Sequence, residues 1–325
     1  MESQRHRPDA LLDVTIRSLQ ESELDTADRI FRVAFGTFIG LPNPETFAGD
    51  SDALRTRWKA DPTRVFAAAV DGELVGTNVA SNWGSMGFFG PLTIRPDLWD
   101  QGIAQRLMQP VMEKFSEWGT RHAGLFTFPH SPKHVHLYEK FGFFARFLTP
   151  IMSKAVAPQT SLVTHWSKYS DLKESEQIAY VAACRELTDA IYEGLDLERE
   201  IQAVQHQRLG DSVLLLDDTH LVGFAVCHCG AGTEDGSGAC YVKFGAVRPG
   251  RAAGQHFTQL LSACEAFAEA SCMSHVVARA NMGCDEAYRH LLKSGFRTDM
   301  YGIAMQRPNE AGYNRPDVYL ISDWR

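Results

Sequence analysis

Hydrophobic positions recur along this chain with two periods, close to two and close to 3.6 residues, and stretches of the two kinds alternate. VTIRSL (14–19) reads as a short strand. ELDTADRIFRVAFGTFI (23–39) has apolar residues at helical spacing, with Ser22 as its candidate cap. VFAAAVDGELVGTNVASN (65–82) predicts a hairpin turning at Asp71-Gly72, a dipeptide suited to a two-residue turn. FFGPLTIRP (88–96) predicts a strand, IAQRLMQPVMEKFSEWG (103–119) a helix, AGLFTF (123–128) a strand, KHVHLYEKF (133–141) a helix and FARFLTPIMSK (144–154) a last strand. The order then repeats: SLVTHWSK, a helical region over 172–206, SVLLLDD, HLVGFAVCHC, ACYVKFGAV, a helix from Gly254, HVVARA, DEAYRHLLKSG and MYGIAMQRP. One further strand is expected at Val318-Tyr-Leu-Ile-Ser322.

Four landmarks make this repeat specific. DGELVG (71–76) resembles DTHLVG (218–223), Arg95-Pro96 resembles Arg248-Pro249, Gly102 pairs with Gly254, and Gly142-Phe143 pairs with Gly295-Phe296. They fall in one order at offsets of 147, 153, 152 and 153 residues. Two α/β domains of one fold are expected, 1–154 and 155–325. The length of 325 residues agrees with two domains at roughly 150 residues each.

Composition removes several function classes. With 44% hydrophobic and 22% charged residues the chain is of globular type. The net charge of −8 is carried mainly by the second half, and neither half is basic, so nucleic acid is not an expected partner. No apolar run approaches the roughly 20 residues of a membrane helix, and MESQRHRPDA has no signal-peptide core, so no membrane partner is expected. All seven cysteines lie in the second half without a C-x-x-C, which fits a reducing, cytoplasmic setting better than a disulfide framework. Alternation in HLVGFAVCHC puts Cys227 and Cys229 on one face and His228 on the other; buried structural thiols are expected, and no metal. Self-association is open.

The chemistry concentrates at Ile94-Arg-Pro-Asp-Leu-Trp-Asp-Gln-Gly-Ile-Ala104, where a strand ends and a helix begins at a glycine. First-turn N–H groups of such a helix lack intrahelical partners and carry positive partial charge, so the turn suits a pyrophosphate. The order of parts resembles the GNAT superfamily of N-acetyltransferases. Leu92-Thr-Ile94-Arg-Pro96 followed by Trp99-Asp-Gln-Gly102-Ile-Ala104 is similar to the family's coenzyme A strand and loop, with Trp99 in place of the usual Gln or Arg. Leu137-Tyr-Glu-Lys-Phe-Gly-Phe143 is similar to its later Leu-Tyr-Glu-Lys-x-Gly-Phe motif. The resemblance covers about 14–154 and 161–325.

It implies two tandem GNAT-like domains, each a mixed sheet splayed between its central parallel strands, here 88–94 and 124–128. It implies acetyl-CoA as cosubstrate, its pantetheine arm on the backbone of Leu92, Thr93 and Ile94. The pyrophosphate would lie on the N–H groups of Gln101, Gly102, Ile103, Ala104 and Gln105, and Ser131 stands where the family often has Asn. A bulge at the strand break by Pro91 would free the N–H of Thr93 or Ile94 to hold the oxyanion, with Ile94 the choice here. Tyr138 would protonate the leaving thiolate. The base is open between His130 and His134 of the following loop, with His130 the first candidate. Glu45 and Asp50, beside Phe38 and Phe47, would wall the acceptor site. The acceptor is a small-molecule or peptide primary amine, and net acidity favours a cationic one.

The second half departs from the pattern. His256 stands where Gly or Ala is expected, and Leu291 occupies the place of Tyr138, with Tyr288 one turn earlier. That domain is expected to be structural and to complete the acceptor pocket. A non-catalytic acyl-CoA-binding protein is the alternative reading. A dinucleotide oxidoreductase lacks its G-x-G-x-x-G.

Overall fold

The computed structural model describes residues 12–157 and 166–325, so MESQRHRPDA and the first residues of SLVTHWSK lie outside the described residues. The first half runs β1 (Val14–Ser18), α1 (Leu24–Phe38), α2 (Ala53–Ala60), β2 (Val65–Val70), β3 (Glu73–Trp83), β4 (Met86–Phe89), β5 (Thr93–Ile94), α3 (Ile103–Glu117), β6 (His122–Thr127), α4 (Pro132–Glu139) and β7 (Phe144–Ala155). The second runs β8 (Trp166–Lys168), α5 (Glu174–Ile191), α6 (Glu198–Gln207), β9 (Gly210–Asp217), β10 (His220–Cys229), β11 (Ala239–Val247), α7 (Ala253–Ala270), β12 (His275–Arg279), α8 (Asp285–Lys293), β13 (Arg297–Arg307) and β14 (Leu320–Ser322).

Local chemistry accounts for most boundaries. Asp71 and Gly72 take φ of +50° and +83°, the left-handed pair that a two-residue hairpin needs. Ser22 does not cap α1. The chain enters it through a short turn in which the Glu23 carboxylate accepts the Gln20 N–H at 3.0 Å. The expected helical region 172–206 is two helices, parted where Gly194 takes φ +79°. Cys227 is fully buried, while His228 sits across the strand against Tyr241, with 5.6 Å between ring centroids.

The two halves do not each close their own sheet. Fourteen strands form one sheet in the order β1-β2-β3-β4-β6-β13-β7-β12-β11-β10-β9-β8, with β5 on β3 and β14 on β11. The last strand of each domain has crossed to the other. β13 pairs with β6 of the first half from Ile303↔Thr127 to Arg307↔Ala123. β7 pairs with β12 of the second half from His275↔Ala155 to Arg279↔Ile151. The exchange gives the halves a common core. Trp83, Met86 and Phe88 from the first half belong to the same apolar cluster as Phe224 and Phe244 of the second, and Trp83 meets Phe244 edge-on at 5.5 Å. No helix among the described residues is long and apolar enough to cross a membrane.

Candidate active site

β4 and β6 run parallel and paired from Met86↔His122 to Phe88↔Gly124, then part. The reason is local. Gly90-Pro91 interrupts the strand, and proline supplies no ladder donor. The strand resumes on β3 as β5, one residue out of step: Ala80↔Phe89 gives way to Thr77↔Thr93 and Gly76↔Ile94. Arg95 N–H donates to the Val75 carbonyl at 2.8 Å. Because antiparallel donors alternate sides, Thr93 turns its N–H and C=O to β3 and Ile94 turns its N–H into the gap. The backbone of Thr93 is thus spent on β3, and its hydroxyl shares a 2.9 Å bond with that of Thr77. The Ile94 carbonyl does face the gap but already accepts from the Trp99 indole N–H at 2.8 Å.

Beyond the gap, Gly102 caps α3 in the left-handed region at φ +75°, and a side chain there would meet nothing within 4 Å. The space above the helix is therefore open, and the N–H groups of Ile103, Ala104 and Gln105 have no acceptor within the helix. Asp100 reaches across to Lys133 at 2.5 Å, and the Lys133 ammonium lies 5.8 Å from the Trp99 ring. Gap and helix end open into one cavity of about 1370 Å³. Leu92, Thr93, Ile94, Gly102 to Gln105, His130 and Tyr138 all line it. Gln101 and Ser131 do not: Ser131 is buried and uses its hydroxyl oxygen to cap α4, accepting the His134 N–H at 3.4 Å. The family pattern placed both at the cosubstrate; the Ser131 hydroxyl is instead spent on the start of α4.

Tyr138 comes from the buried face of α4 and is 8% exposed, edge-on to Phe89 at 5.5 Å. Burial pushes its phenol well above its ordinary range, partly offset by the neighbouring Thr127 hydroxyl, so the group holds its proton. His134 is shifted the other way. Burial, then the Lys133 and His130 charges, lower its pKa and keep the imidazole neutral near pH 7. Both His130 and His134 stack near Phe38, at 5.8 and 4.8 Å.

The opposite wall is aromatic. Phe35 stacks on Phe47 at 5.3 Å, Phe31 meets Phe47 at 5.5 Å, and Phe38 meets Phe128 at 4.8 Å; all five rings line the cavity and are partly exposed to it. The loop carrying Phe47 is held from beneath. The Arg32 guanidinium donates to the carbonyls of Phe47, Gly49 and Ser51 at 2.6–2.7 Å and pairs with Asp28. Of the two carboxylates expected here, Asp50 lines the cavity, while Glu45 turns outward to Arg29. Asp50 accepts from the hydroxyl and, at 2.7 Å, the N–H of Ser237 in the second half. Asp52 N–H and Asp50 C=O bond the same loop, through Thr233 and Gly232 at 2.8 and 3.0 Å. Glu234 and Asp235 of that loop complete the wall, a contribution sequence reading did not locate. Against the cost of burial, Arg57 and Lys243 hold Glu234 well below the carboxylate range; Arg57 also donates to the Gly90 carbonyl at 2.6 Å and pairs with Glu234 at 2.7 Å.

Residues 30–143 match the sequence profile of the acetyltransferase (GNAT) family. This region is a GNAT domain. Solved structures extend the likeness to the whole chain. A candidate acetyltransferase of Pyrococcus horikoshii superposes with a TM-score of 0.69 at 12% identity, over 99% of both chains. A GCN5-related N-acetyltransferase of Sphaerobacter thermophilus gives 0.59 at 15%, over 92% of this chain and 96% of its own. A glucosamine N-acetyltransferase region of a fungal multi-domain β-N-acetylglucosaminidase gives 0.62 at 11%, over 93% of this chain and 39% of its own. At these identities the likeness is one of fold, a tandem pair of GNAT-like sheets. The sequence has no match among curated proteins.

The two GNAT-like domains differ at the splay. In the second, β11 and β12 pair from Ala239↔His275 to Tyr241↔Val277 and then part, as β4 and β6 do. The tail fills that gap: β14 pairs with β11 at Phe244↔Ser322, Gly245↔Ile321 and Ala246↔Leu320. Just before it, Tyr319 lies over the start of α7. Its hydroxyl is 3.1 Å from where a Cβ on Gly254 would sit, and it donates to Glu286. Gly254 is inside the helix rather than capping it, so Tyr319, more than His256, occupies the place of a pyrophosphate. Leu291 is fully buried where the first domain has Tyr138. Val318, Leu320 and Trp324 are buried as expected, and Trp324 crosses to the first domain, seated on the bare Cα of Gly124.

Proposed function

We propose that the first domain transfers an acetyl group from acetyl-CoA to a primary amine, while the second domain supplies one wall of the acceptor site and no turnover. One observation carries the reading: the first splay is open, with a helix end that no side chain caps at one side and a buried phenol at the other, whereas the second is filled by the chain's own tail. The N–H groups of Ile103, Ala104 and Gln105 hold the pyrophosphate. Leu92, beside the strand break, receives the pantetheine arm, and the Ile94 N–H faces the thioester oxygen as it becomes negative. His134, which lines the cavity 4.8 Å from the Phe38 ring and is kept neutral near pH 7 by burial, is assigned as the base.

The amine nitrogen attacks the thioester carbon; the N–C bond forms and the C–S bond breaks. The acceptor arrives as an ammonium and first gives one proton to solvent through His134; the neutral nitrogen then attacks, its second proton goes to His134, and sulfur leaves with the proton of Tyr138, which is reprotonated from His134 through water, so one proton is released overall. The burial that holds the proton on Tyr138 also disfavours a free thiolate beside it, so transfer between them keeps its driving force. Tyr138→Phe should lower amine-dependent thiol release by about 10²–10⁴-fold and leave acetyl-CoA affinity nearly unchanged. Near wild-type turnover in that variant would remove Tyr138 from the mechanism. The non-catalytic reading draws on Trp99, whose indole sits on the Ile94 carbonyl. It requires acetyl-CoA binding without thiol release for any amine.

A further inference from the structure

Resting on that transfer reading, we infer that the acceptor is an amine borne on an aryl or alkyl group, its apolar body against Phe31, Phe35, Phe38, Phe47 and Phe128 and its ammonium on Asp50. The five rings come from α1, the loop after it and the end of β6, and they converge on the cavity while remaining partly exposed. Such a surface is built in advance: Arg32 holds the carbonyls of residues 47, 49 and 51 in the Phe47 loop, and the Asp50–Ser237 contact fixes the loop against the second domain. Ring faces attract apolar and cationic groups but offer no partner to a hydroxyl. A polyhydroxylated amine would leave hydroxyls unpaired here, which disfavours it by up to about 10²-fold per hydroxyl, the limit for an apolar wall.

Charge places the ammonium. Among the described residues, the other carboxylates of the cavity face cations: Glu234 faces Arg57 and Lys243, Asp235 faces Arg325, and Asp100 faces Lys133. Asp50 is exposed and has no ion-pair partner among the described residues: Ser237 donates to it twice, and the Arg32 charge beneath the loop acts on it only weakly. It lies three residues from Phe47 on the same pinned loop, so one ligand can meet both. The second domain thereby contributes to acceptor choice through Ser237, which orients Asp50.

The full-length protein with saturating acetyl-CoA tests this by thiol release from 2-phenylethylamine, hexylamine, ethanolamine and glucosamine. The expected kcat/KM for the first two exceeds that for the last two by at least 30-fold. Phe47→Ala should lower kcat/KM for 2-phenylethylamine by 10-fold or more, Phe47→Leu should restore much of it, and Asp50→Asn should raise its KM by 10-fold or more. Calorimetric binding of acetyl-CoA, unchanged in these variants, shows that they are folded; the wild-type ranking stands as a test should any of them not be. Glucosamine or ethanolamine as the preferred acceptor overturns the inference and leaves the transfer reading in place. Acetyl-CoA binding with no thiol release for any amine overturns both.

Discussion

Trp99→Phe isolates one contact at the heart of the cosubstrate cleft. In the free protein the Trp99 indole N–H donates to the Ile94 carbonyl at 2.8 Å, and this carbonyl faces the gap. A pantetheine amide that pairs with the strand has to displace the indole or share its acceptor. Phenylalanine keeps the apolar body beside Lys133 but removes the donor. A neutral hydrogen bond contributes about 0.5–1.5 kcal/mol net. If binding breaks this bond, its removal strengthens acetyl-CoA affinity by the same amount, about 2- to 13-fold at 25 °C. Isothermal calorimetry of acetyl-CoA with both proteins reads this directly, and the enthalpy should become more favourable as well. The sign is the test. Weaker binding in Trp99→Phe would mean that the indole supports the bound arm, and the competition argued from the Ile94 carbonyl would be wrong.

Two further outcomes follow from buried charge at the domain junction. Arg57→Met leaves Glu234 without its guanidinium and the Gly90 carbonyl without a donor, so urea unfolding should show a loss near the lower end of ~3–5 kcal/mol, because Lys243 still faces Glu234; a loss under ~1 kcal/mol would mean that the network does not hold the junction. His228 is fully buried, with its pKa lowered to about 4 by burial, and both ring nitrogens lack a hydrogen-bond partner among the described residues. The folded value lies below the unfolded value of about 6.5, so the unfolded chain binds the proton more readily. Its contribution is complete above about pH 6.5 and falls away toward pH 4, by about 3 kcal/mol; His228→Phe should flatten this part of the stability curve, and an unchanged acid slope would contradict it.

The parts legible in the sequence are those encoded locally. The Asp71-Gly72 turn, the strand break at Pro91 and the helix start at Gly102 each depend on a few neighbouring residues, and pattern reading finds them; Tyr138 was marked by the motif resemblance alone. The repeat at offsets near 153 residues found the second GNAT-like unit for the same reason. Strand exchange was not legible. β7 and β13 carry the same alternation whichever sheet they join, and nothing in FARFLTPIMSK or MYGIAMQRP names the partner. The tail was half legible: Val318, Leu320 and Trp324 marked it for burial, but only the bare surface of Gly124 and the gap beside β11 show where. Ser131 lies off the cavity lining and spends its hydroxyl on the start of α4, a side-chain direction that a motif's residue order does not fix. Arg32 gave a usable signal that went unread, an arginine on a helix face next to a glycine- and proline-rich loop full of carbonyls.

The central claim is that one splay is a binding site and the other is filled by the chain itself. Titration of the full-length protein with acetyl-CoA in a calorimeter measures it. The account predicts one site per chain, abolished by Gly102→Glu, in which a carboxylate enters the open space above α3 and opposes the pyrophosphate. Two equivalent sites per chain, or undiminished binding in Gly102→Glu, would contradict it.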